Sequence, residues 1–410
     1  MTLESELVTA VGEEFVESVD ETSYRVRPGS PAEVAEVIRR AGTYRAAVHP
    51  VGAGGRGQQT NENRPRVFVS TRRLDQVLQL DETSLLVHAQ AGLTGLELER
   101  ILAPRNLSIG DYPPVVLTSS LGGIIAVRTP GKSSARHGFF EDAVVGLSAV
   151  LADGRTVHTR IAPRRATGPD LARALCGSEG TIGFITSAVL RIHVKPEARL
   201  VAAYRLPSID AAVSAVYLAL REEAAPSGLR IYDAVEAKRH FETSPIPMGQ
   251  ALLLAATAGP TDLAACDRDL ITSAVIAEGG ATSDIGLAEL WWRRLHLGEP
   301  TPGPTPNLQV MATPSKMRAV YHTVCSEMIA NGASARAHIS RFDANGAVMF
   351  FTMERGGEPA NESLLSVAER AVEAAGGWLL GARAHKLDVY LRALRDAIDP
   401  DRIMNPGTLA

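Results

Sequence analysis

The 410-residue sequence predicts an α+β protein of two domains, and three observations support this fold class. The length suits two or three domains of about 150 residues each. A hydrophobic fraction of 45% and a charged fraction of 21% are ordinary for a folded protein and exclude general disorder. The composition changes at Lys195-Pro196, which separates a glycine-rich first half from a second half of longer alternating strands and helices.

In the first half, turn residues such as Asp153-Gly154 separate short apolar runs from amphipathic segments. A helix begins at Ser30-Pro31, because serine caps helices and proline favours the first helical position. The remaining patterns predict strands at 67–69, 84–89, 144–151 and 186–192, and helices at 95–102 and 169–175.

The second half repeats a strand–helix–strand pattern, which favours one sheet covered by helices, as in ferredoxin-like folds. Strands are predicted at 199–206, 249–256, 308–311 and 347–353, helices at 209–224, 262–278 and 316–331, and a loop or hinge at 299–306. The predicted domains are 1–197, 198–385 as a cap, and a segment 386–410 that packs back on the first domain.

Charge and cysteine content exclude several function classes. The net charge of -4 does not favour a protein that binds nucleic-acid phosphates without sequence preference. Three dispersed cysteines fit neither a disulfide framework nor a thiolate metal site, and the histidines lack ligand spacing, so no metal is predicted. The acidic N-terminus does not resemble a signal peptide and no apolar run would span a bilayer, so we expect a cytoplasmic protein.

Residues 50–58, PVGAGGRGQ, form the first loop whose composition suits ligand binding. Glycines at this density let backbone N–H groups approach an anion, so the loop predicts a pyrophosphate nest, and a plain flexible turn is the alternative. Gly52, Gly54 and Gly57 satisfy GxGxxG in letters, but no apolar helix follows as a dinucleotide fingerprint requires.

Two further glycine-rich loops lie at 110–123, GDYPPVVLTSSLGG, and 177–185, GSEGTIGFI. The first combines rigid prolines, hydroxyl donors and paired glycines, and the second is a turn that leads into an apolar strand. Each loop alone is a weak signal. Because an extended nucleotide needs several separate loops to hold it, the three together predict a nucleotide site.

Residues 137–192 then give the specific signal, above all the PRRATGPD stretch followed by GSEGTIG. This region resembles the FAD-binding domain of the vanillyl-alcohol-oxidase superfamily, also called PCMH-type. Within it, the sequence is most similar to alkyldihydroxyacetonephosphate synthases and to FAD-linked D-lactate and glycolate dehydrogenases. The resemblance spans about residues 25–195 and is weaker at Trp291-Trp292, 337–353 and the IDPDRIMNPG tail.

The resemblance implies a PCMH-type FAD-binding fold whose second domain forms a cap over the isoalloxazine. It implies that the pyrophosphate is wrapped by Pro50, Val51, Gly52, Ala53, Gly54, Gly55 and Arg56. The ribityl chain and the ring would be lined by Pro113, Pro114, Thr118, Ser119, Gly122, Gly123, Val127, Arg128, Thr129 and Pro130, and the flavin flanked by Glu179, Gly180, Thr181, Ile182, Gly183 and Ile185.

The pyrophosphate loop departs from the family pattern, because Gly55-Arg56 replaces the usual Thr-Ser pair. Two hydroxyl donors are lost, and a charge-assisted bond from Arg56 to a phosphate would compensate. The loop holds neither histidine nor cysteine, so we expect the FAD to be bound non-covalently.

The substrate side of the sequence is less specific. The family's histidine motif is broken at 381–386, where His385 and Lys386 remain as candidate proton-transferring or cationic groups, and the strand 348–353 lacks the ether-lipid enzyme's tyrosine. His338 is a candidate base, with a hydrogen-bonded structural histidine as the alternative. If side chains alternate strictly along the strand, His338 and Arg341 lie on opposite faces. The position of Arg341 resembles the family's substrate-anion site, and a salt bridge is the alternative role for this residue.

These features predict an FAD-dependent oxidoreductase that oxidises an alcohol carbon by hydride transfer to the flavin. The expected substrate is small and anionic or polyhydroxylated, such as a hydroxy acid, a sugar or a phosphorylated alcohol, with oxygen or another electron acceptor as partner. Two alternatives stay open: redox-neutral alkyl transfer, and a non-catalytic flavin-binding subunit of a larger oxidase. A homodimer is compatible with the sequence but not indicated by it.

Overall fold

The computed structural model describes residues 2–53, 63–110, 117–128, 134–161, 170–242, 246–297, 307–380 and 389–408. Its residues divide into two compact units. The first unit is drawn from Met1–Pro130, Phe139–Val194 and Lys386–Ala410, and the second from Gly131–Gly138 and Lys195–His385.

Several sequence predictions lie outside these described ranges. They are the hinge at 299–306 and the candidate site residues Gly54, Gly55, Arg56, Pro113, Pro114, Thr129, Pro130, His385 and Lys386.

The first unit contains two principal sheets. In the four-stranded sheet the strand order is Val16–Asp20, Ser23–Val26, Arg66–Ser70, Ala47–Val51, and the last two pairings are parallel. In the antiparallel five-stranded sheet it is Val77–Asp81, Leu86–Gln90, Gly183–Arg191, Val144–Leu151, Thr156–His158. Leu107–Ser108 pairs with His193–Val194. The α-helices are Leu3–Val11, Pro31–Thr43, Gly95–Leu102, Leu121–Ala126, Phe140–Ala143, Leu171–Leu175 and Val389–Ile398.

The helix Pro31–Thr43 shows how the sequence determines these elements. The Ser30 side chain accepts a hydrogen bond from the Glu33 N–H, and Pro31 occupies the first turn, where its missing N–H costs nothing. The apolar positions recur at helical spacing and are buried: Val34, Ala35, Val37, Ile38 and Ala41. They pack against the four-stranded sheet through Val48, Val67 and Val69.

The second unit is built on one large sheet in which every pairing is antiparallel. Its strand order is Ala281–Thr282, Ala198–Leu206, Ala251–Gly259, Gly228–Asp233, Ser334–Asp343, Gly346–Arg355, Leu308–Ala312, Trp378–Leu379, with Glu358–Pro359 paired to Gly346–Arg355. The α-helices are Ser134–His137, Ile209–Arg221, Ala234–His240, Thr261–Ala277, Ile285–Leu297, Pro314–Ala330 and Glu362–Ala374.

The two faces of this sheet differ in chemistry. One face carries alternate apolar residues such as Ile231, Ile339 and Phe351, which form the main core with four of the helices. On the opposite face, Tyr232 and Leu252 join a smaller cluster under Trp291. The strands Ser334–Asp343 and Gly346–Arg355 carry a row of polar and aromatic residues on that same opposite face, and this row forms part of the candidate site.

The structure confirms the predicted fold class and the predicted strands and helices that fall within the described ranges, with ends shifted by a few residues. The strand predicted at 186–192, for example, spans Gly183–Arg191. Among the helices of the described ranges, none combines the length and the hydropathy of a bilayer-crossing segment.

Gly92 provides a test of the packing in the first unit. A Cβ built there would lie 1.9 Å from the Thr71 carbonyl oxygen, a rigid backbone atom. We therefore expect Gly92→Ala to lower the free energy of unfolding by at least about 2 kcal/mol. Gly42→Ala is the matched control, because its Cβ meets Ile403 at an ordinary 3.6 Å within a helix, where alanine stabilises by about 0.5–1 kcal/mol. Urea unfolding of both variants checks this, and equal stabilities would contradict it.

Candidate functional site

The first candidate site is formed where the end of the strand Ala47–Val51 approaches the start of the helix Leu121–Ala126. A Cβ on Gly52 would lie 2.4 Å from the Ser120 Oγ, so only glycine fits at this distance. Ser120 is buried and caps the helix by accepting a hydrogen bond from the Gly123 N–H. The predicted pyrophosphate loop therefore begins in contact with the predicted ring-lining loop.

The turn at Gly177–Gly180 brings the third predicted loop to the same place. The Gly177 N–H donates to the Ile125 carbonyl and the Glu179 N–H to the Ala126 carbonyl, at 3.1 and 2.9 Å. Gly180 has a φ of +77°, and a Cβ there would lie 2.8 Å from the Pro50 Cγ. The three loops thus converge within the first unit.

The remaining predicted cofactor residues have different local roles. The Arg128 Nε donates to the Cys176 carbonyl, and the Thr181 hydroxyl donates to the Ser178 carbonyl. Gly183 lies under the Val150 carbonyl within the sheet, while Ile182 and Ile185 pack into the hydrophobic core. These residues support the loops, and Val51, Ala53, Thr118, Ser119, Gly122 and Val127 lie at the loop ends or in the adjoining helix. Their direct contact with FAD stays a prediction.

The convergent loops fit a nucleotide cofactor. A Cβ at Gly52 would meet the Ser120 hydroxyl and one at Gly180 would meet the Pro50 ring, so these two glycines allow the loops to approach one another closely. The Ser178 Oγ is buried and has no hydrogen-bond partner among the described residues, so it is available to a ligand. Here Gly52, Ser178 and Gly180 would hold the FAD.

Substitution of Gly52 tests this cradle. We expect Gly52→Ala to weaken FAD binding at least about tenfold, because the new Cβ displaces Ser120 and the helix start that Ser120 caps. Titration of the apoprotein with FAD, followed by flavin fluorescence, measures the dissociation constant. In a Ser120→Ala background the penalty should shrink, since the clashing hydroxyl is gone. An undiminished FAD affinity in Gly52→Ala would refute the cradle.

The second candidate site is the polar row on the sheet of the second unit. His338 lies opposite Phe350 on one neighbouring strand and opposite Tyr232 on the other. The His338 and Phe350 rings stack with centroids 4.7 Å apart and planes 10° apart. His338 is 9% exposed, so an aromatic wall encloses its imidazole.

Arg341 corrects an expectation from the sequence. Strict alternation directs its side chain to the face opposite His338, yet its guanidinium lies 4.7 Å over the Phe350 ring, on the same face as His338. The cause is a β-bulge: the register shifts between Ser340 and Asp343, and Arg341 adopts a φ of +58°. The extra residue also returns Phe342 to the helix-covered core.

Arg230 joins this group from the neighbouring strand, where it lies opposite Ser340. Its Nη1 donates to the Tyr232 hydroxyl at 3.3 Å, and its buried Nε has no hydrogen-bond partner in the described ranges. Burial and the charge of Arg230 lower the pKa of Arg341 to about 10, and no described carboxylate opposes them. Two neighbouring guanidiniums without a described counter-charge could bind an anion.

A buried carboxylate lies behind His338. Glu236 forms an ion pair with the Arg336 Nε at 2.8 Å and pairs with the His240 Nε2 at 3.1 Å, and its Oε1 is 3.8 Å from the His338 Nδ1. Burial opposes ionisation, but the hydrogen bond from His240 and the proximity of His338 hold the pKa of Glu236 well below its usual range. The carboxylate is therefore ionised at neutral pH.

His338 itself is neutral at pH 7. Burial is the main cause and the nearby Arg230 charge the second, and together they lower the pKa of His338 to about 4 although Glu236 opposes them. A neutral imidazole next to an anion site can accept a proton from a bound hydroxyl group.

Acid unfolding tests the charge state of His338. Because its pKa is lower in the folded than in the unfolded state, its contribution to stability is complete above pH 6.5 and is lost as the pH falls to about 4. We expect His338→Gln to remove an acid destabilisation on the order of 2–3 kcal/mol over this window. His322→Gln, at an exposed histidine paired with Asp210, should retain it. Urea unfolding at pH 7 and pH 4.5 measures both, and equal pH dependence in wild type and His338→Gln would contradict the prediction.

Sequence analysis missed three functional candidates. Arg230 was overlooked in the short strand Gly228–Asp233, although its alternation with Tyr232 would have signalled a shared polar face. Glu236 was overlooked because its partners come from other elements. Asn405 was overlooked because nothing in the sequence of the tail indicates its partners, the Glu179 carbonyl and the His49 ring.

Comparison with known proteins identifies both parts of the chain. The family described as FAD binding domain matches residues 22–160, and the family described as FAD linked oxidases, C-terminal domain, matches residues 195–378. Alkyldihydroxyacetonephosphate synthase of Dictyostelium discoideum is 32% identical over 224 residues, which cover 54% of this chain and 36% of that protein. The glycolate oxidase subunit GlcD of Bacillus subtilis is 28% identical over 271 residues, which cover 63% of this chain and 56% of that protein. The chain thus spans less than two thirds of these relatives.

Among solved structures, p-cresol methylhydroxylase with substrate bound superposes with a TM-score of 0.73 at 14% identity, covering 99% of this chain and 96% of that one. At this identity the likeness concerns the fold. The chain thus combines an FAD binding domain with the C-terminal domain of FAD linked oxidases, and FAD is its cofactor.

Proposed function

We propose that this protein is an FAD-dependent oxidoreductase that oxidises the alcohol carbon of a small anionic or polyhydroxylated substrate. The observation that carries the proposal is the group formed by Arg230, Arg341 and the neutral His338 on one face of one sheet. Non-covalently bound FAD would supply the hydride acceptor. Oxygen or another electron acceptor would complete the cycle.

The residues of this face divide the work of substrate binding and proton transfer. Arg230 and Arg341 would bind a carboxylate or phosphate through charge-assisted hydrogen bonds. Phe350, which lies against both His338 and Arg341, would exclude water beside the reacting carbon. His338 would accept the hydroxyl proton at a ring nitrogen, and Glu236 would stabilise the resulting imidazolium.

Substrate binding should itself make His338 a better base. The positive charge of Arg230 disfavours protonation of the imidazole, and an anion bound to Arg230 offsets that charge. The pKa of His338 should therefore rise when an anionic substrate occupies the site, so the proton moves after binding.

Anaerobic reduction of the flavin tests the function. Hydroxy acids, sugars, phosphorylated alcohols and neutral alcohols are mixed with the purified holoprotein, and bleaching of the visible flavin band is recorded. We expect bleaching by at least one anionic or polyhydroxylated alcohol. Absence of bleaching with every class would reject the oxidase proposal.

Arginine substitutions test the anion site. Arg341→Met and Arg230→Met should each raise the concentration of anionic substrate needed for half-maximal flavin reduction by about 10–100-fold, because each removes a charged hydrogen-bond donor. Arg355→Met is the control, because Arg355 is an exposed arginine of the same hairpin that bonds the Asn331 carbonyl. If the concentration of a neutral alcohol needed for half-maximal flavin reduction rose equally, the arginines would not be recognising the anionic group of the substrate.

A second candidate is redox-neutral alkyl transfer, favoured by the similarity to alkyldihydroxyacetonephosphate synthase. The strand Gly346–Arg355 has phenylalanines at 350 and 351 and no tyrosine, which argues against the tyrosine-dependent mechanism. A transferase would turn over without net bleaching of the flavin. A third candidate is a non-catalytic flavin-binding subunit of a larger oxidase, because the GlcD relative is named as a subunit. Co-purification of a second chain would favour this candidate. Homodimer formation and a cytoplasmic location stay predictions.

A further inference from the structure

The C-terminal segment adds backbone hydrogen bonds to the strand that leads into the predicted pyrophosphate loop. The Val48 N–H donates to the Ile403 carbonyl at 2.7 Å, the Asn405 N–H donates to the Val48 carbonyl at 2.8 Å, and Met404 pairs with Val48 in parallel. Asp399, 1% exposed, accepts from the N–H groups of Ile403 and Met404 and fixes this turn. The backbone of Asn405 is thus held by its own hydrogen bond to Val48 and by the turn that precedes it.

The Asn405 side chain then connects two loops that are distant in sequence. Its Nδ2 donates to the Glu179 carbonyl at 2.6 Å, and its Oδ1 is 3.0 Å from the His49 Nδ1. Since the amide N–H₂ faces a carbonyl, its oxygen must accept, and His49 therefore carries its proton on Nδ1. His49 is 2% exposed and stacks on Phe68, so this bond is shielded from water.

Both loops continue directly into the cofactor cradle. Pro50 follows His49 and leads to Gly52. Gly180 follows Glu179 and lies so close to the Pro50 ring that a Cβ on Gly180 would be 2.8 Å from the Pro50 Cγ. One side chain from the far end of the chain therefore bridges the two backbones whose next residues are predicted to hold FAD.

Loss of this bridge would remove one hydrogen bond from the part-buried Glu179 carbonyl and one from the buried His49 ring, at a cost of about 1–3 kcal/mol each. The cheapest relief is separation of the two loops, which exposes both groups to water. Bound FAD would then have to bring the loops back together, so part of its binding free energy would be spent on ordering them.

We propose that Asn405 is a positioning residue for FAD, which fixes the Pro50–Gly52 chain against the Glu179–Gly180 turn and so makes cofactor retention depend on the C-terminal segment. Both described bonds of the Asn405 side chain go to these two loops. The proposal rests on the family's FAD cofactor and is independent of the substrate proposed above.

Cofactor titration with two Asn405 variants tests this role. Asn405→Ala removes both bonds. Asn405→Asp keeps the shape and the acceptor toward His49 but places a carboxylate oxygen against the Glu179 carbonyl. Both should raise the dissociation constant for FAD at least about tenfold, measured by flavin fluorescence on the apoprotein. Arg402→Ala is the control, because this exposed side chain of the same segment bonds Asp396 and neither loop, and its affinity should match wild type.

A merely structural role is distinguished by melting each protein with and without saturating FAD. A positioning role predicts that the increase in melting temperature caused by FAD shrinks in both Asn405 variants, while the apoproteins melt close to wild type. A lowered apoprotein melting temperature with an unchanged dissociation constant would overturn the proposal. If Asn405→Ala does not fold, the near-isosteric Asn405→Asp decides alone, and wild-type FAD affinity in that variant also overturns it.

Discussion

The first unit depends on one steric constraint: two glycines must pack directly against the side chains of neighbouring loops. Gly52 against the Ser120 hydroxyl and Gly180 against the Pro50 ring satisfy that constraint, since a Cβ on either glycine would lie closer to its neighbour than van der Waals contact permits. The hydrogen bonds from the turn at Gly177–Gly180 to the Ile125 and Ala126 carbonyls then hold the loops in place. The proposed cofactor cradle therefore depends on glycine at positions 52 and 180.

The second unit places charged side chains on one face of its large sheet. Arg336 and Glu236 neutralise one another at 2.8 Å, whereas Arg230 and Arg341 have no such described partner. Half-buried charge without a counter-charge is costly, and this supports the proposal that an anion completes the site. The adjacent imidazole stays uncharged for the same electrostatic reason.

The fold class and a nucleotide site could be predicted from local patterns, because glycine clusters, capping residues and strand periodicity are each encoded within a few neighbouring residues. FAD in particular was implied by the family resemblance of residues 137–192. Helix Pro31–Thr43 is an example, since Ser30 and Pro31 announce its start. The site could be predicted less well. Arg341 was assigned to the wrong face because a bulge depends on pairing with another strand, and Asn405 was missed because its partners lie 226 and 356 positions away.

The bulge at Arg341 has a consequence for how such a protein can diversify. Its left-handed backbone directs the Arg341 side chain to the proposed substrate face, while Phe342 stays in the hydrophobic core. Exchange of that single residue would alter which ligands are accepted without disturbing the sheet beneath. The corner is therefore a natural point at which descendants of a common ancestor acquire new specificities while they inherit the same scaffold.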